Sequence, residues 1–141
     1  YNLPSFKELN EEFDVEVAAE HETECLLREM RKAIMDKITA YLRFVEMILN
    51  PSNAPMFFLF LVKGLSSQDK KELEKIYTDL GSFELDVLKL DCQYSEKNEA
   101  EFIKKVFKEW QEVKKDVLKI ADILIKNWGQ KSWKNERGYC G

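Results

Sequence analysis

The chain has 141 residues, 34% of them charged and 45% hydrophobic, with a formal net charge of −4. That length fits one domain, and the mixture is too apolar for disorder and too charged for a membrane protein. The longest apolar run, Met56 to Val62, is far shorter than the roughly 20 residues a spanning helix needs.

No basic segment followed by an apolar one marks a secretory leader near Tyr1. Cys25, Cys92 and Cys140 are odd in number and widely spaced, which suggests reduced thiols in a cytoplasmic protein rather than a disulfide framework. Charge is unevenly spread. Residues 1–24 carry eight acids against Lys7, whereas residues 97–141 carry eleven bases against seven acids. The expectation is that the two ends lie close and neutralise one another.

In chain order, Pro4-Ser5 starts a short helical turn through Glu12. A long pattern then begins near Val15 and runs to Leu49. Leu26, Met30, Ile34, Ile38, Tyr41, Val45 and Ile48 recur at steps of three and four, one face of a helix. Asn50-Pro51 ends it, because a residue before proline is pushed out of the α region. Met56 to Val62 is apolar on every side, so periodicity cannot separate helix from strand. Asn53 as a cap, Pro55 as first helical residue and Gly64 as a left-handed stop favour a short buried helix.

Ser66 and Ser67 offer caps for a helix over 69–79, with Leu73, Ile76, Tyr77 and Leu80 on one face and Gly81 as its stop. Residues 83–90 alternate like a strand at first, but Leu88 breaks the alternation and a third short helix is expected there. Ser95 then caps the clearest element, with Glu96 and Glu99 in its first turn. Ile103, Val106, Trp110, Val113, Val117, Ile120 and Leu124 follow a strict three-four repeat that Gly129 ends. The whole predicts an all-α bundle over 1–129, with two long antiparallel helices (about 15–49 and 96–128), three shorter helices between them, and a basic, aromatic tail over 130–141.

Chemistry is sparse. A di-iron bundle needs two Glu-x-x-His motifs, and the chain has one histidine, His21. His21 and Cys25 share a helical face at i, i+4, yet two ligands do not make a zinc site, so no metal or cofactor is expected. Phosphate-binding glycine loops are absent, and His21 beside Cys25 lacks any orienting group or oxyanion loop. The two apolar stripes are expected to bury no charged side chain. These features argue against an enzyme and for a protein-protein interaction or self-association module using the Ile103–Leu124 seam. A nucleic-acid-associated regulator is the alternative, because Trp128, Trp133 and Tyr139 interleave with Lys126, Lys131, Lys134 and Arg137. A further one is an apolar ligand held among Phe57, Phe58, Phe60 and Trp110.

Overall fold

The computed structural model describes residues 2–15 and 26–129. Among these residues five α-helices follow one another: α1 (Phe6–Phe13), α2 (Leu26–Leu49), α3 (Met56–Lys63), α4 (Ser67–Cys92) and α5 (Glu96–Gly129), with a 3-10 turn at Pro51–Asn53 before α3. No strand occurs among the described residues.

Local chemistry sets most of the boundaries. Ser5 accepts from the Glu8 amide while the Glu8 carboxylate accepts from the Ser5 amide, a reciprocal cap that starts α1. Asp14 ends it in the left-handed region at φ 54°, which aspartate tolerates better than most residues. The long helix therefore does not begin at Val15, which sits in a turn, its side chain fully buried. Ser66 and Asp69 repeat the reciprocal cap at the start of α4. Ser95 Oγ accepts from the Asn98 amide at the start of α5.

Between the long helices there are two helices, not three. α4 runs unbroken through Gly81, because its apolar residues keep one helical phase on both sides: Leu73, Ile76 and Leu80, then Phe83 and Leu90, are all buried. A mid-helix glycine weakens a helix but does not end one that packing holds. α3 departs from expectation at both ends. Pro55 is its cap and no side chain caps it. Gly64 has an ordinary φ of −92°; it is glycine because a Cβ there would collide with the Asn127 side chain, whose amide donates to the Gly64 carbonyl at 2.9 Å.

Direction is the larger correction. Arg31 pairs with Glu99, and ten residues on Tyr41 stacks on Trp110 at 5.0 Å, so α2 and α5 run parallel rather than antiparallel. α4 is the antiparallel return between them. Its Glu84 meets Thr39 of α2, while its Asp86 and Glu72 meet Lys105 and Lys119 of α5. A short α3 followed by one long return leaves α5 starting at the same end as α2.

The core lies where these three helices meet. Ile34, Ile38 and Leu42 of α2, Leu73, Ile76 and Leu80 of α4, and Ile103, Val106 and Trp110 of α5 all belong to one buried cluster. Burial of each such side chain contributes roughly 1.5–3 kcal/mol before chain entropy is set against it. α1 adds Leu9 and Phe13 to the same core. Glu12 accepts from Trp110 Nε1 at 2.9 Å and pairs with Lys114 at 2.9 Å, so part of the acidic N-terminal stretch does meet the basic C-terminal half.

Candidate interaction surface

The two ends of the bundle are built from opposite materials. At the end where α2 and α5 start, charge is buried. Arg31 is 1% exposed and Glu99 0%. Arg31 Nε and Nη2 donate to the two Glu99 carboxylate oxygens at 2.8 and 3.0 Å, and Nη1 donates to Asp91 Oδ1 at 2.8 Å. The Glu99 bonds, opposed by desolvation and helped by Asp91, hold the guanidinium above its ordinary pKa. A planar fork matched to a carboxylate in this way fixes register as well as charge. It joins the second turn of α2 and the first turn of α5 to the last turn of α4.

These two buried charges overturn the expectation of purely apolar stripes. A signal for them was present. Arg31 stands three residues before Ile34, and Glu99 four before Ile103, so both continue the core faces of their helices by one step.

At the opposite end rings are left in solvent. α3 lies against the final turns of α2 and α5. Phe44 of α2 meets Phe58 at 5.3 Å, Phe58 meets Phe57 at 5.4 Å, and Trp128 of α5 meets Phe57 at 5.1 Å and Phe60 at 6.3 Å. Of α3 only Leu61 is buried, so the expected buried helix is a helix but not a buried one. Met56 is 65% exposed, and Phe44, Met47, Phe57, Leu59 and Trp128 are 39–44% exposed. Residues 47–62 carry no charge at all, and Lys63 lies over the Phe60 ring at 5.1 Å. These exposed apolar side chains and the rings they join lie together at one end of the bundle. An all-apolar run does not reveal which of its faces meets water, and that is why the sequence concealed this patch.

The residues expected to form a shared seam lie elsewhere. Ile103, Val106, Trp110, Val113, Ile120 and Leu124 are buried and Val117 is half-buried, all within this chain's own core. Among the described residues the stripe is taken up by the packing of α2, α4 and α1, with only Val117 partly open. Phe57, Phe58 and Phe60 are not gathered with Trp110, which packs instead on Tyr41 and Phe13. The four residues proposed for an apolar ligand therefore fall in two ring clusters.

His21 and Cys25, and Lys131, Trp133, Lys134 and Arg137 with the rest of the tail, lie outside the described residues. Lys126 is exposed, while the Trp128 ring is engaged by Phe57 and Phe60. Cys92 is exposed at the end of α4. Among the described residues no group of three His, Cys, Asp or Glu could hold a metal, and no helix is long and apolar enough to cross a membrane.

A groove of about 460 Å³ between α4 and α5 is lined by Asp86, Lys89, Leu90, Gln93, Asn98, Glu101, Phe102 and Lys105. Lys105 donates to Asp86 at 2.6 Å, a bond that raises the lysine's pKa against a smaller desolvation. The groove sets an ion pair beside Phe102, an arrangement that ties two helices together. Compared with family models, curated proteins and solved structures, the chain finds no match.

Proposed function

We propose that the chain is a non-catalytic helical interaction module that docks a protein partner through its aromatic end. The observation that carries this reading is the ring cluster from Phe44 to Trp128, joined edge to edge yet open to water through Met56, Phe57 and Leu59. Folding alone would hide such rings. Aromatic and methionine side chains concentrate at the centre of protein interfaces, and an uncharged stretch with a polar border resembles an interface core with its rim.

The test places a photo-crosslinking residue at Leu59 in one version of the full chain and at exposed Lys115 in another. Expressed in its native cells, the Leu59 version should give a discrete protein adduct that the Lys115 version lacks. Adducts confined to lipid, or equal at both positions, sink the reading.

A further inference from the structure

The outer face of α4, turned away from Leu73, Ile76, Leu80 and Phe83, carries a second apolar feature that the fold does not use. Leu85 and Leu88 are 68% and 62% exposed in the C-terminal third of a 26-residue helix. With Gly81 and Cys92 they stand at steps of four, three and four. That is the spacing of a coiled-coil seam.

Gly81 has no reason inside the chain to be glycine. A Cβ built on it meets nothing within 4 Å, and its backbone is ordinary helix. Alanine there would strengthen the helix. A bare backbone on an outward face suits the close approach of another helix.

The flanks decide what that helix is. Written as a heptad, Gly81 and Leu88 take d, Leu85 and Cys92 take a, Glu84 takes g and Lys89 takes e. In a parallel, in-register pair of identical helices, each g residue faces the e residue five positions on in its partner. The g and e positions here hold opposite charges. Lys89 makes no ion pair among the described residues, and Glu84 accepts a 3.4 Å hydrogen bond from Thr39 and feels Arg43, whose own ion pair is with Glu46, so both have capacity for a partner.

We propose that this face binds a second copy of the chain, α4 against α4 in parallel two-fold register. Leu85 meets Leu85, Leu88 meets Leu88, Gly81 lets the backbones close, and Glu84 pairs with the second copy's Lys89 on both sides. Two-fold pairing is the commonest symmetry of homo-oligomers. The seam covers only about three turns and falls short of the roughly 800 Å² a side of a standard interface, so the dimer is weak and depends on concentration. Parallel register sets both aromatic ends at the same end of the dimer, where two linked sites bind a common target more tightly than one. The proposal stands whether or not the aromatic end binds a protein.

Sedimentation equilibrium of the full chain over a wide concentration range tests it. A monomer–dimer equilibrium is expected, weakened at least tenfold by Leu85→Glu with Leu88→Glu while the circular dichroism spectrum is unchanged. Gly81→Ala separates this face from a merely structural one, because it should raise the melting temperature and yet weaken the dimer. With Cys25→Ser and Cys140→Ser in place, copper-phenanthroline oxidation should link the two Cys92 thiols. A chain that stays monomeric overturns the proposal. So does a dimer that survives the leucine changes but is lost on Phe57→Asp, which would move self-association to the aromatic end. A dimer that needs the leucines yet gives no Cys92 crosslink overturns the parallel register.

Discussion

One end of this bundle hides an ionised pair and the other leaves phenylalanines and a tryptophan in water. Each side chain lies opposite to its solvation preference, and about 45 Å of α5 separates Glu99 from Trp128. The departures differ in kind. Arg31 and Glu99 satisfy each other within the chain, so their burial is complete and needs nothing more. Phe57 and Trp128 satisfy each other only edge to edge and leave apolar area unburied. The charged end is finished by folding; the aromatic end is not. The docking surface we propose lies at the unfinished end.

The largest expected effect breaks the charged end. Arg31→Met leaves Glu99 buried without its cation and should destabilise the chain by about 3–5 kcal/mol in urea unfolding. Adding Glu99→Leu should return most of that loss, since Asp91, about half exposed, can turn to water. If the double variant is as unstable as the single one, an orphaned charge is not what the single variant suffers from.

A smaller break lies halfway along the molecule. Glu12→Ala removes the acceptor of the Trp110 indole N–H and the partner of Lys114, and should cost about 1–3 kcal/mol. Hydrogen exchange should locate the loss in α1, and uniform loss across α2 and α5 would contradict that. Ser66→Ala, which removes the cap beside the aromatic end, should cost about 1 kcal/mol. An unchanged urea midpoint would show that this cap contributes nothing.

The same contrast explains what the sequence disclosed. Helical periodicity exposed the core faces of α2 and α5 because Ile34, Ile38, Ile103 and Val106 alternate with polar neighbours at every turn. Ser5 and Ser66, read as helix starts from their residue type, do begin α1 and α4, and the acids that complete their caps, Glu8 and Asp69, showed only in the structure. Direction stayed hidden, since a stripe carries no sign. It took the Arg31–Glu99 fork to show that α2 and α5 are parallel, and that fork reads in sequence as two more charges among many. Gly81 misled because a lone glycine suits a helix end and an outward mid-helix face equally well. The Ile103–Leu124 stripe misled in the reverse sense: a core stripe and a dimer seam have the same spacing, and only the packing of α2 and α4 on it tells them apart.

The smallest expected effect on stability is the most informative about function. Met56 is the most exposed apolar side chain of α3 and follows Pro55 at the start of the helix. Met56→Ser removes area already in water, so the urea midpoint should move by no more than about 0.5 kcal/mol. If the aromatic end docks a protein, the same change should lower the crosslinking yield from Leu59 severalfold, because methionine is a common contact residue in interface cores. A residue that contributes to binding and almost nothing to folding is what an unfinished surface predicts. Were Met56→Ser to cost several kcal/mol instead, α3 would be a structural brace across the ends of α2 and α5. Its rings would then complete the core rather than await a partner.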